Sequence, residues 1–232
     1  MQKNLEKRFN NNNVPDNIVI NNWIDENQIY PLEKNNPKVL EFKRLYELEN
    51  KFIIMYSGNI GLYYDLEKLI EIIGQYRNND NVIFAFVGDG AKKNFLEEYV
   101  NNNNLKNVKF IPYQEKENLI YSLNAADVHL VTNAKGIKGV SVPSKIYGIL
   151  ATNVPVFGIL EEDTEAWKII QESNAGVLAH TGNYEEIQNT LTEIIENKYD
   201  FVNDHLTGRK FVEGRYTMDK SIDKYAEAIE KL

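Results

Sequence analysis

A doubly wound α/β domain, with a Rossmann-like parallel sheet of about six strands and flanking helices, is the fold this sequence predicts. Two observations carry the prediction. From Phe52 onward, short apolar runs alternate with longer amphipathic stretches, and strands separated by helices of that length suit parallel pairing through right-handed crossovers. The short runs are also apolar nearly throughout, as strands covered on both faces are.

Taken in order, the first strand is expected at Phe52-Ile53-Ile54-Met55-Tyr56, and a helix over 65–76 follows, with Leu66, Leu69, Ile70 and Ile73 at helical spacing. The second strand, 82–87, ends at Gly88-Asp89-Gly90, and a helix over 91–101 leads to a third strand at 108–111. A helix over 115–124 precedes a fourth strand at 127–131, and after a glycine-bearing loop a helix over 143–151 precedes a fifth at 154–157. A helix over 164–172, a short strand at 176–178 and a helix over 184–196 complete the alternation. Residues 1–50, with an apolar run at Ile18-Val19-Ile20 and a charged helix near 38–49, read as an N-terminal extension or interdomain segment. Residues 51–207 form the nucleotide-binding core, and 208–232, ending in an amphipathic helix over 218–232, pack back on it. Asparagine runs at Asn10–Asn13 and Asn101–Asn104 fall between patterned segments and read as compositional bias.

The bulk numbers narrow the function. A chain of 232 residues with 43% hydrophobic content can bury one large core. A net charge of -8 argues against a wide nucleic-acid footprint, while leaving room for a small basic pocket around a phosphate. The absence of cysteine removes disulfides, cysteine-bound zinc and thiol nucleophiles. No stretch resembles a secretory leader or the roughly 20 apolar residues of a membrane span, so a cytoplasmic location is expected.

Ligands of open parallel sheets bind beyond the carboxyl ends of the strands, where strand order reverses. In the first such loop, Ser57-Gly58-Asn59-Ile60-Gly61, Gly58 and Gly61 let backbone approach a ligand. It is not GxGxxG, and no acidic residue ends the second strand, so dinucleotide binding is disfavoured. Gly88 offers a second turn of either structural or ligand-facing use. The third loop is the most informative: Lys135 to Lys145 carries Gly136, Lys138, Gly139, Val140, Ser141, Pro143 and Ser144. Glycines, a proline suited to a first helical turn and the cations Lys138 and Lys145 make a phosphate site. The plainer reading is a solvated first helical turn. His129, inside an apolar strand, reads as an interior histidine, and His180 and His205 have no patterned partners. The acidic cluster Glu161-Glu162-Asp163 with Glu165 reads as a helix start, with contact to a sugar hydroxyl as the alternative. No metal-ligand spacing is visible, and no cofactor beyond a nucleotide-sugar substrate is expected.

The segments 56–61, 86–90, 108–113 and 125–130, and above all Gly139-Val140-Ser141-Val142-Pro143-Ser144-Lys145 continuing to Ala151, resemble the C-terminal domain of family 4 glycosyltransferases. Asn22-Trp23-Ile24-Asp25 resembles the element on entry to that domain. The resemblance implies one half of a GT-B fold, similar to bacterial enzymes that build capsule, O-antigen and exopolysaccharide. It implies retaining transfer from a nucleotide sugar, expected to be UDP-linked, without a catalytic metal, to a polysaccharide or lipid-linked acceptor. It further implies an N-terminal GT-B domain as partner, in the same chain or as a separate one, and peripheral attachment at the inner membrane face once assembled. Self-association through the uncovered partner surface is a further expectation. On this resemblance Lys145 is the catalytic candidate. Gly58, Asn59, Gly61, Gly88, Tyr113, Lys138, Gly139, Val140, Ser141, Pro143, Ser144 and Lys145 hold the donor, with the base near Tyr113. Two departures stand out. The glutamate pair common in the family falls at Val140 and Gly148, and Leu62-Tyr63-Tyr64 supply no cation to the first loop. Alternatives are a non-catalytic nucleotide-sugar-binding or scaffolding subunit and a sugar-nucleotide 2-epimerase of the same architecture.

Overall fold

The computed structural model describes Glu6, Phe9 and residues 17–140, 142–197 and 207–230. Its centre is a six-stranded sheet in the order β3-β2-β1-β4-β5-β6, and every strand pair is parallel. The strands are β1 (Phe52–Ser57), β2 (Val82–Val87), β3 (Val108–Ile111), β4 (Val128–Thr132), β5 (Val156–Leu160) and β6 (Gly176–His180). The helices are α1 (Pro37–Leu45), α2 (Leu66–Ile73), α3 (Lys93–Asn102), α4 (Lys116–Asn124), α5 (Lys145–Ala151), α6 (Glu165–Ser173), α7 (Tyr184–Ile195), α8 (Thr207–Arg215) and α9 (Met218–Glu230). A short 3-10 turn, Gly74–Tyr76, finishes the α2 segment. None of the described helices is long and apolar enough to cross a membrane.

The alternation of side chains along each strand divides the core between two faces. Ile54, Tyr56, Phe84 and Phe86 pack on one side with Leu69 and Ile70 of α2, Leu96 of α3 and Leu191 of α7. Ile53, Met55, Ile83 and Val87 point the other way, toward Val39 and Phe42 of α1, while Val131, Val156 and Leu160 meet α5, α6 and Val212 of α8. Each such fully buried side chain contributes roughly 2 kcal/mol of transfer free energy. The inner strands β1, β2, β4 and β5 are almost wholly buried on both faces, whereas the edge strands β3 and β6 are partly exposed, with Lys109 and His180 reaching the surface.

Several boundaries differ from the sequence reading. Helix α1 stops at Leu45, because Glu47 and Asn50 adopt φ of 57° and 56°, and Leu48 turns into the core. Helix α5 begins at Lys145, two residues after Pro143, whose carbonyl accepts from the Ile146 amide. Strand β5 begins at Val156, after Pro155, and runs to Leu160. Helix α8 carries no periodic apolar signal, since only Gly208 and Val212 of its residues are buried. The run Ile18-Val19 is exposed and forms no strand. The asparagines do more than reflect composition: Asn104, Asn153, Asn174 and Asn197 take left-handed φ beyond the ends of α3, α5, α6 and α7. Asparagine tolerates that conformation better than other residues with a Cβ.

Beyond the strand ends the hydrogen-bond ladder continues into the loops. The Gly58 amide donates to Val87 O at 2.8 Å, the Gly88 amide to Ile111 O at 2.9 Å, and the Ile60 amide to Asp89 O at 2.8 Å. Gly88 has φ of 139°, and a Cβ there would lie 2.0 Å from the Gly58 carbonyl oxygen. Gly88→Ala should therefore lower stability by on the order of 3 kcal/mol, through steric overlap and backbone strain together. Gly136→Ala, where φ is 90° but nothing lies within 4 Å, should cost clearly less. Urea denaturation of both variants checks this, and equal midpoints would contradict the packing argument.

Candidate functional site

A cleft of about 380 Å³ opens at the carboxyl edge of the sheet, above the point where strand order reverses between β1 and β4. Its floor is the turn after β1, Ser57-Gly58-Asn59, with Val87 from the end of β2. Tyr113 and Gln114 follow β3, Leu119 and Leu123 come from α4, and Val142, Pro143, Ser144, Lys145 and Gly148 come from the α5 segment. Ile24 closes one side and Tyr64 lines another. Lys145 carries the one ionisable charge among these lining side chains other than the tyrosines.

The floor is held from below. The Tyr56 hydroxyl donates to the Asn59 carbonyl at 2.6 Å, fixing the turn. Gly58, with φ of 131°, has room for no side chain without pressing on Lys145: a Cβ would sit 3.3 Å from both Cε and Nζ. Gly61 and Gly90 leave space for the Asn59 side chain, to which a Cβ on either would come within 2.8 Å or 2.5 Å. Thus Gly58 and Asn59 line the cleft, while Gly61 and Gly88 shape the turns behind it.

Lys145 is turned inward. Its Nζ is buried with no hydrogen-bond partner and stands 3.5 Å from the Tyr56 ring centroid and 5.0 Å from that of Tyr64. An ammonium loses its hydration there and gains only aromatic faces in return, so burial pushes the Lys145 amine down to about 7. The same burial drives the Tyr56 hydroxyl upward, keeping it neutral.

The other end of the glycine loop is bound differently from the sequence expectation. The Glu161 carboxylate accepts from the Gly136 and Lys138 amides at 3.0 and 3.1 Å. The Lys138 Nζ donates to Glu162 O at 2.6 Å and lies 3.9 Å from Asp163. The acidic turn after β5 therefore fills the amide nest and occupies Lys138, which stands away from the cleft wall. Gly139 and Val140 also lie off the wall, Val140 with 68% of its surface exposed. Ser141 lies outside the described residues, as does His205. Pro143, Ser144 and Tyr113 line the cleft, Tyr113 with 72% of its surface exposed.

His129 is interior, with Nε2 2.9 Å from Leu123 O, and burial lowers it to about 4. His180 does have a partner, contrary to the sequence reading: its Nδ1 is 3.0 Å from Glu186. Among the described residues no group of three or more potential ligands could hold a metal ion. Lining residues outside the expected donor set are Ile24, Ser57, Tyr64, Val87, Gln114, Leu119, Leu123, Val142 and Gly148, and Tyr56 packs against the Lys145 amine. The apolar run 52–56 reads as a buried strand, and nothing in it signals that a lysine far along the chain reaches Tyr56.

Residues 38–207 match the family model described as Glycosyl transferases group 1. The chain is 27% identical over 218 residues to the probable glycosyltransferase WbjE of Pseudomonas aeruginosa, covering 93% of this chain and 52% of that protein. It is 41% identical over 103 residues to the putative colanic acid biosynthesis glycosyl transferase WcaI of Escherichia coli K12, covering 44% of this chain and 25% of that one. Among solved structures, Anabaena HepE in complex with UDP and glucose shares the fold with a TM-score of 0.75 at 18% identity, over 93% of this chain and 57% of that one. The chain spans about half the length of WbjE and a smaller part of WcaI.

The buried amine makes a signed stability prediction. Because Lys145 is held low in the folded chain, that chain binds fewer protons than the unfolded one between about pH 7 and the ordinary value of 10.5. Its penalty is full below that window and fades as pH rises through it. Lys145→Met should thus stabilise the protein by about 1–3 kcal/mol at pH 6, with the gain shrinking toward pH 10. Urea midpoints at both ends of the range decide it, and a loss of stability that is equal at both would be the contrary result.

Proposed function

The chain belongs to the group 1 glycosyl transferases, and on that premise we propose that it is the donor-binding half of a retaining glycosyltransferase. In this reading the donor is a UDP-sugar, and the acceptor is a polysaccharide or lipid-linked saccharide of cell-surface assembly. The observation that carries the proposal is the cleft at the strand-order reversal, where the Gly58 turn and Lys145 meet. A nucleoside diphosphate fits that chemistry: backbone can approach phosphate oxygens over glycine, and one cation lies beside that turn. The UDP and glucose in HepE and the colanic acid role in the name of WcaI support the same reading.

Transfer breaks the bond between the sugar anomeric carbon and the diphosphate oxygen, and forms a bond from that carbon to an acceptor oxygen, which loses its proton. Negative charge grows on the departing diphosphate. Lys145, once protonated and drawn to the diphosphate, would stabilise that charge electrostatically. The exposed Tyr113 after β3 offers an aromatic face for the base. A partner domain supplied in the same chain or by another would complete the cleft, exclude water and align the acceptor. Attachment to the inner face of the membrane would come through that assembly.

A second reading, a nucleotide-sugar-binding subunit without catalysis, is favoured by one observation: no acidic side chain lines the cleft among the described residues. Calorimetric titration of the protein with UDP, with GDP and NAD as comparisons, tests the donor site. UDP should bind selectively, and Lys145→Ala should weaken it by about tenfold or more. Equal binding of GDP, or an unaffected Lys145→Ala, would remove the proposed site. Turnover of the assembled enzyme that survives Lys145→Ala would favour the non-catalytic role for this residue.

A further inference from the structure

The Lys145 side chain runs from α5 to the Gly58 turn, and its buried amine has no hydrogen-bond acceptor. Two tyrosine rings flank it instead, Tyr56 from β1 and Tyr64 from the loop before α2. Both tyrosines are themselves fixed. The Tyr56 hydroxyl is bound to Asn59 O, and the Tyr64 carbonyl accepts from the Thr132 hydroxyl at 2.9 Å at the end of β4. Lys145 lines the cleft next to Gly58, where a Cβ would come within 3.3 Å of the amine, so the missing side chain leaves room for it beside the turn. The amine is therefore stored beside the cleft, not displayed in it.

We propose that Tyr56 and Tyr64 are positioning residues that hold the Lys145 amine in reserve, and that an arriving diphosphate draws it from between their rings with net uptake of protons from solvent. The proposal rests on the donor reading above and deepens it. In the stored state the Nζ lone pair is unprotonated for part of the protein population at neutral pH. When phosphate oxygens arrive, that lone pair takes a proton from water or buffer, an N–H bond forms, and the ammonium pairs with the diphosphate. Burial pushes the amine down to about 7 in the stored state, which is consistent with this geometry. The titratable groups facing it are few. Tyr56 is kept neutral by burial, Tyr64 offers its ring, and His129 from β4, lowered to about 4, is uncharged near neutral pH. No carboxylate forms an ion pair with Lys145 among the described residues. A site whose charge rises on occupation attracts stray anions less than a fully charged one, and it discriminates a diphosphate from weaker ligands by the work of bringing the amine out.

The experiment follows the amine itself. The protein is prepared with lysine carbon-13-labelled at Cε, and the Lys145 resonance is assigned by its loss in Lys145→Met. Titration from about pH 5 to about pH 11 should show Lys145 changing charge near neutrality, apart from the other lysines. Excess UDP should move that midpoint up by at least about one pH unit, a tenfold change in proton affinity. Calorimetry of UDP binding at about pH 8, in two buffers of unlike ionisation enthalpy, should report net proton uptake. Tyr64→Ala, which admits water, should raise the free midpoint and abolish the uptake, and Tyr64→Phe, which keeps the ring, should restore both. A Lys145 that titrates with the other lysines overturns the inference whether or not UDP binds. UDP binding without a change at Lys145 overturns it while the donor reading stands. Failure of UDP to bind at all overturns the donor reading and the diphosphate coupling together.

Discussion

The parallel ladder does not stop where the strands do, and the rest of the site depends on that continuation. Amides of Gly58, Ile60 and Gly88 carry the pairing of β1, β2 and β3 into the turns that follow them. Two turns are thereby brought so close that the Gly88 Cα stands against the Gly58 carbonyl with no space for a side chain. Glycine suits both because φ is positive, and because a Cβ would meet the Gly58 carbonyl at Gly88 and the Lys145 side chain at Gly58. The result is a thin, rigid floor. Lys145 lies against the Gly58 turn, within 3.3 Å of where a Cβ on Gly58 would stand.

That lysine is a local cost to the fold. A buried amine with no acceptor is among the least favourable groups an interior can hold, and neighbouring tyrosine faces offset only part of the loss. Stability sacrificed at one position commonly marks a position used for binding or chemistry. Here the sacrifice sits at the strand-order reversal, where an open α/β sheet places its ligand. The cationic partner expected beside it, Lys138, has been drawn off by the acidic turn after β5, and Glu161 fills the amide nest of the same loop. Charge in the cleft is thus concentrated on a single side chain.

The two ends of the chain contribute to the cleft through each other. Ile24 forms a parallel bridge with Thr217, and its amide donates to Tyr216 O at 3.0 Å. The Arg209 guanidinium donates to Ile29 O at 2.6 Å and to Glu26 O at 2.9 Å. Helix α8 therefore clamps the entering segment and sets Ile24 as one wall of the cleft. An element with almost no apolar periodicity gains its place from charge-assisted bonds to backbone carbonyls, which need no repeating pattern to form.

Alternation of apolar runs with amphipathic stretches was enough, by itself, to determine the class of the fold, its parallel sheet and most of its helices. Periodicity reports burial, and burial on both faces leaves few other arrangements. Glycine placement likewise marked the Gly58 and Gly88 turns, and the lysine after Pro143-Ser144 was legible as a cation near a loop. What only the tertiary structure decided is where each charge went. Lys138 and Lys145 are alike in kind and seven residues apart, yet one meets an acidic turn from beyond β5 and the other packs on the Tyr56 ring of β1. Those neighbours are distant in sequence, and a side chain's partners across a sheet depend on strand order, which local pattern does not encode. The pairing of Tyr56 and Tyr64 with Lys145 is hidden for the same reason: each residue obeys its own local rule, and the chemistry appears only where three separate segments meet.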